Sequence, residues 1–161
     1  MELTFHGLEQ LASNFRRLST AARAEGEKAL KTGGMLIVAE AQKNLRKQPN
    51  SNNTGALSNS GKVRKTGELS YEAGFEMNYA EYVEYGRRPG RMPPVKMLAE
   101  WAKKKLRVPD KDKMYVGFLI ARKIAMHGTK AKNFFSEATE TVMSKIEDSL
   151  NNIINKAERR I

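Results

Sequence analysis

The stretch YAEYVEYGRRPGRMPP, Tyr79 to Pro94, decides how the rest of this chain is read. Three tyrosines and two glutamates fall within seven residues, and then Gly, Arg and Pro take over. In an extended chain Tyr79, Glu81, Val83 and Tyr85 point one way, and Ala80, Tyr82 and Glu84 the other. Coiled into one helical turn, Ala80, Val83 and Glu84 would instead share a face. The strand is the main expectation and the turn its alternative. In both, Gly86 and Gly90 bracket a basic elbow of Arg87, Arg88 and Arg91, and Pro93-Pro94 opens a helix.

Upstream, Leu69, Tyr71, Ala73 and Phe75 alternate with Ser70, Glu72 and Gly74, which predicts a strand over Glu68 to Phe75 with one apolar face. Lys62 to Lys65 reads as its partner across a Thr66-Gly67 turn. Before them, KQPNSNNTGALSNSG shows no period and is rich in Asn, Ser and Gly, so a flexible polar loop is expected at about 47–61. Leu8, Leu11, Ala12, Phe15, Leu18 and Ala22 form a helical stripe. A longer helix follows through Leu30, Ile37 and Ala41 to about Leu45. Gly33-Gly34 interrupts it and implies either a bend or close packing, since each internal glycine costs about 1 kcal/mol.

Downstream, Val95, Leu98, Ala99, Ala102 and Leu106 mark one helix, with Trp101 on its flank and Lys103 to Lys105 toward solvent. Val116, Leu119, Ile120 and Ile124 mark another that stops near Gly128. Asn133 is the expected N-cap of the last helix. Its stripe runs from Phe135 through Ala138, Val142, Ile146 and Leu150 to Ala157. The expected fold is α+β in a single domain over 1–161. About five helices surround a small antiparallel sheet, with the long N- and C-terminal helices packed on it.

The chain has 161 residues, 40% of them hydrophobic and 29% charged, which is globular composition. It contains no cysteine, so disulfide and thiolate chemistry are excluded. No apolar run approaches the roughly 20 residues of a membrane span, and the N-terminus lacks a signal-peptide pattern. A soluble protein made in a cytoplasm, with no membrane partner, is the expectation. The formal net charge of +11 favours an anionic partner. From Arg87 to Lys113 ten basic residues meet three acidic ones, enough for backbone-directed nucleic-acid binding. No helix-turn-helix or spaced-aromatic pattern accompanies them.

Catalytic signatures are sparse. His6 and His127 have no spacing that builds a zinc site, and no phosphate-cradling glycine motif is present. Glu81 and Glu84 would face opposite sides of a strand, which argues against shared acid–base work. No enzyme, no metal and no cofactor is expected. Tyr and Arg, by contrast, are enriched at protein interfaces because they bury area while keeping a polar tip. The candidate interface residues are Thr54, Gly55 and Leu57 in the loop, Tyr79, Tyr82, Glu84 and Tyr85, the elbow arginines Arg87, Arg88 and Arg91, and Trp101.

The order of these pieces resembles the tail-completion, or head–tail joining, proteins of long-tailed bacteriophages, the gene-product-ten-like family. Thr54-Gly55-Ala56-Leu57 with Ser58 and Ser60 is similar to that family's TG-x-L-x-x-S. Tyr79-Ala80-Glu81-Tyr82-Val83-Glu84-Tyr85-Gly86 is similar to its YA-x-x-VE-x-G. Pro93-Pro94, Leu98, Trp101 and Lys105 resemble a PP…L…W…K helix, and Ala121-Arg122-Lys123-Ile124, Gly128-Thr129 and Phe134-Phe135-x-x-Ala138 the closing IA-x-x-I…GT…PF…A. One departure is that Lys132-Asn133 stands where the family has a proline.

The resemblance implies a non-enzymatic virion protein at the head–tail junction, synthesised in the host bacterial cytoplasm. It implies a homo-oligomeric, hexameric ring between a head-closure or connector protein and the tail terminator or tail tube. The arginine elbow would reach acidic groups on a neighbour, and the loop at 47–61 would be a second docking arm. The alternatives are a tail terminator capping the tube, or a basic protein in non-specific contact with genome DNA.

Overall fold

The computed structural model describes residues 20–47 and 55–159. The stripe from Leu8 to Leu18, His6, and positions 48–54 of the polar loop, Thr54 included, lie outside the described residues. Helix α1 spans Thr20–Lys47 and α2 is a single turn, Ala56–Asn59. Strands β1 (Gly61–Gly67) and β2 (Ser70–Phe75) follow, then the short helix α3, Ala80–Glu84. Helices α4 (Val95–Leu106), α5 (Lys113–His127) and α6 (Phe134–Glu158) complete the described chain. This is the expected α+β arrangement of long helices and a small sheet.

The body is built from α1, α6 and the hairpin. The two long helices run antiparallel, because Asn44 near the end of α1 donates to the Phe134 carbonyl at 3.2 Å while Gly33 near its middle meets Ile146. Apolar stripes at three- and four-residue spacing close this seam: Ile37, Ala41 and Leu45 from α1, and Ala138, Val142, Ile146 and Leu150 from α6. Phe75 at the end of β2 fills the centre, edge-on to Phe134 at 5.2 Å and to Phe135 at 6.0 Å. Such edge-to-face pairs add about 0.5–1.5 kcal/mol each beyond their burial.

The Gly33-Gly34 pair is a site of close packing within one unbroken helix. A Cβ on Gly33 would lie 2.6 Å from Ile146 Cδ1, and one on Gly34 would lie 3.0 Å from Val63 Cγ1. One glycine therefore admits α6 and its neighbour admits the sheet, on adjacent faces of α1.

The strands pair antiparallel as expected, but the turn is displaced. Gly67 pairs with Ser70, so the chain reverses at Glu68-Leu69, with a register shift between Lys65 and Gly67. Leu69 takes a positive φ of 53° and is nonetheless only 4% exposed. Burial of its side chain in the core carries the turn past Thr66-Gly67. Glu27 of α1 anchors this tip, bonded to Lys65 at 2.6 Å. That side-chain hydrogen bond holds the Glu27 carboxyl below the usual carboxylate range, against the opposing effect of desolvation.

Two further expectations are corrected. The end of the polar segment is not loop, because Leu57 and Ser58 of α2 are buried and Gln42 donates to the Ser58 carbonyl at 2.8 Å. Tyr79 to Tyr85 is not a strand but the alternative turn, α3, with Ala80 and Glu84 fully buried.

Gly33→Ala should lower stability by about 1–3 kcal/mol through overpacking, despite alanine's better helix propensity. Urea unfolding reads the sign; a stabilised variant would show that Ile146 has room to yield.

Candidate interaction surface

The segment from Tyr79 to Asn133 is organised around two chain crossings. Hydrogen bonds from Ala80 N–H to the Met77 carbonyl (2.8 Å) and from Val83 N–H to the Tyr79 carbonyl (3.2 Å) open α3. It ends at Gly86, whose φ is 74°. A Cβ there would approach the Thr129 carbonyl oxygen to 2.5 Å. Gly128 faces it from the other side with φ 70°, and a Cβ on it would meet the Arg87 carbonyl oxygen at 2.1 Å. Only glycine allows either backbone conformation at such contact distance. Between them Arg87 and Thr129 exchange backbone hydrogen bonds of 2.9 and 2.8 Å.

The second crossing is Glu84. Its carboxylate accepts the Phe135 N–H at 2.9 Å and the Ser136 N–H at 3.0 Å, and also the Ser136 hydroxyl. Its backbone carbonyl accepts the N–H groups of Lys132 and Asn133, both at 3.0 Å. The side chain is fully buried. The N-terminus of α6 is thus capped by a residue some fifty positions upstream. Asn133 occupies the N-cap position but makes no side-chain capping bond, and it is left-handed, with φ 48°. A proline ring cannot reach that angle, so this structure has no room for a proline at 133.

Helices α4 and α5 form a separate antiparallel hairpin and pack chiefly on each other. Small residues set their spacing: Ala99 and Ala102 of α4 and Gly117 and Ala121 of α5 are all buried, and a Cβ on Gly117 would lie 2.7 Å from the Ala99 backbone nitrogen. At the turn, Lys113 bonds Glu100 at 2.8 Å and Asp110 at 3.0 Å, while Lys103 bonds Asp110 at 2.7 Å. These side-chain hydrogen bonds hold both carboxyls below their usual range. The elbow joins the hairpin through the Gly90 N–H, which donates to the Ala125 carbonyl at 2.8 Å.

The candidate residues therefore separate into two groups. Leu57 and Glu84 are buried and serve the fold. Tyr79 lies half-buried against α2, where burial pushes its phenol above the usual range and a backbone hydrogen bond at Leu57 opposes that rise. Gly55 is the left-handed N-cap of α2, with φ 70°. Arg87 is half-buried, its guanidinium 5.3 Å from the Tyr82 ring centroid and bonded to the Arg91 carbonyl. Tyr82, Tyr85, Arg88 and Arg91 are exposed, and Trp101 is half-buried on the flank of α4.

The largest exposed apolar group was not among the residues singled out from the sequence. Met114, Tyr115, Phe118, Leu119 and Met126 of α5 are all solvent-exposed, with Met97 of α4. Leu119, expected to face inward, is on this outer side. The signal was present, since Tyr115, Leu119, Arg122 and Met126 repeat at steps of three and four, a second stripe on a helix already given one.

Among the described residues no group of three or more His, Asp or Glu is placed to hold a metal ion. No helix among the described residues is long and apolar enough to cross a membrane. The arrangement is one of interlocked backbone and presented surface. Residues 9–86 match a family model described as "Bacteriophage HK97-gp10, putative tail-component". Over this segment, just under half of its length, the chain is similar to the HK97-gp10-like family of phage tail-component proteins. No curated protein and no solved structure matches the chain.

Glu84→Gln should cost about 2–4 kcal/mol, because an amide cannot accept all three donors and leaves buried N–H groups unpaired. Asn133→Gly should change stability by less than about 0.5 kcal/mol, since no cap bond is lost and the left-handed angle suits glycine. Denaturant midpoints of the two variants check the contrast.

Proposed function

We propose that this chain is a non-enzymatic structural protein of the phage neck, forming a homo-oligomeric ring that joins the DNA-filled head to the tail. The reading is supported by the tail-component family match, together with the exposed Tyr82, Tyr85, Arg88 and Arg91 beside a rigidly bridged backbone. A ring subunit needs contact residues held at a fixed angle to a stable body. The Arg87–Thr129 bridge and the Glu84 cap provide that fixed angle.

In this role the head-closure or connector protein would lie on one side of the ring and the tail terminator or tail tube on the other. A hexamer is what the family resemblance implies, and repetition around the axis makes weak single contacts accumulate. Arg88 and Arg91 are the elbow residues available to a partner's acidic groups. Arg87 is engaged within the chain and serves the elbow's shape.

Arg88→Glu with Arg91→Glu should leave the purified chain folded, with an unchanged thermal midpoint, and reduce infectious particles at least tenfold, with unjoined heads and tails accumulating. Antibody labelling of wild-type particles by electron microscopy should mark the head–tail junction. Normal particle yield from the double variant, or label elsewhere on the virion, would reject the reading.

A further inference from the structure

Helix α5 is apolar on two faces. Gly117 and Ala121 bury one against α4. The other presents Tyr115, Phe118, Leu119 and Met126, exposed by 66%, 42%, 42% and 58%, with Arg122 among them. A helix apolar all round is ordinarily a buried one. Tyr, Phe, Met and Arg are also the residues enriched at the centres of protein interfaces.

Charge says what this face can meet. From Arg88 to Lys130, the elbow and hairpin carry twelve basic residues and three acidic ones. Two of those acids, Glu100 and Asp110, are already bonded to Lys113 and Lys103. Two copies docked hairpin to hairpin would therefore bring like charges together. The opposite distribution lies on the outer face of α6, where Glu137, Glu140, Glu147 and Asp148 are exposed around Thr141 and Ser144. None of these four carboxylates forms an ion pair with another described residue. Within one chain the hairpin does not cover that face, since α4 and α5 pack chiefly on each other.

We infer that the outer face of α5 docks on the outer face of α6 of a second copy of this chain. The aromatic rings of Tyr115 and Phe118 lie over the small side chains of Thr141 and Ser144, while Arg122 and Lys123 meet the flanking carboxylates. The contact joins two different surfaces. Repeated head to tail it generates a ring when the rotation closes, whereas an isologous contact would stop at a dimer. The inference rests on the ring reading and specifies how neighbouring subunits meet.

The test is a charge exchange in the full chain. One variant carries Arg122→Glu with Lys123→Glu, and the other Glu140→Lys with Glu147→Lys. Each alone opposes like charges where the two faces meet; mixed, the carboxylates placed on one α5 meet the lysines placed on the other's α6, and the reverse contact keeps its native charges. Each variant supplied alone to a phage lacking its own copy should lower infectious yield at least tenfold, and the two together should restore it to within about threefold. Sedimentation velocity of the purified chains should follow the same pattern, with single variants dissociating at concentrations where the mixture associates. Full yield from either variant alone, or no recovery on mixing, overturns this contact. If the junction label persists in that case, the ring reading stands and only the contact falls. Absence of wild-type label at the junction would remove both.

Discussion

Helix α6 begins inside the protein, and its free N–H groups have to be paired there. The first turn of any helix leaves several donors without intrahelical partners, and here Phe134 and Phe135 place that turn against Phe75 in the core. Water is excluded, so an acceptor must come from elsewhere in the chain. Glu84 supplies it with both carboxylate oxygens. Its negative charge also lies at the positive end of the α6 dipole, where a carboxylate is favoured by up to about 2 kcal/mol in partly buried settings.

This pairing explains why α3 is helical. As a strand, the segment from Tyr79 would send Ala80, Tyr82 and Glu84 to one face, with a bulky exposed ring beside the capping carboxylate. The helical turn instead puts Ala80 and Glu84 inward together and leaves Tyr82 and Tyr85 outside. It also delivers the chain to Gly86 at the one place where the returning strand from Gly128 can pass. The two motifs quoted from distant parts of the sequence, VE-x-G at 83–86 and GT at 128–129, are the two halves of this crossing.

The helices and the hairpin were legible because their signals are local. Three- and four-residue spacing marks α1, α4 and α6, and two-residue alternation marks β2 from Tyr71 to Phe75. Where the reading moved, a long-range requirement decided. Leu69 turns the chain in a conformation that leucine disfavours because its side chain is needed in the core. Asn133 looked like a cap by type and position, yet the cap comes from Glu84. Leu57 looked like part of a polar arm, yet it is a core residue of α2. Glu84 and Leu57 stood among the candidate interface residues; what the sequence could not say was that burial, and not a partner protein, accounts for them. The second stripe of α5 was overlooked for a related reason: once one face of a helix is assigned inward, a second apolar face has no place in an isolated domain.

That second face and the charge around it act against each other in the free chain. An apolar stripe of this composition invites association, while the lysines and arginines around it repel another hairpin presented the same way. Under the proposed contact this charge disfavours symmetric pairing of two hairpins, which would end assembly at two copies. An acidic surface removes the repulsion and uncovers the attraction at once. On this chain that surface is on α6, the helix whose position is set by Glu84, and α5 is tied to the same crossing through Gly90 and Gly128. Both halves of the proposed subunit contact therefore take their relative orientation from one buried carboxylate and one two-glycine crossing. A change at either place would alter the angle between neighbours, and in a closed ring a small error in that angle accumulates with every subunit.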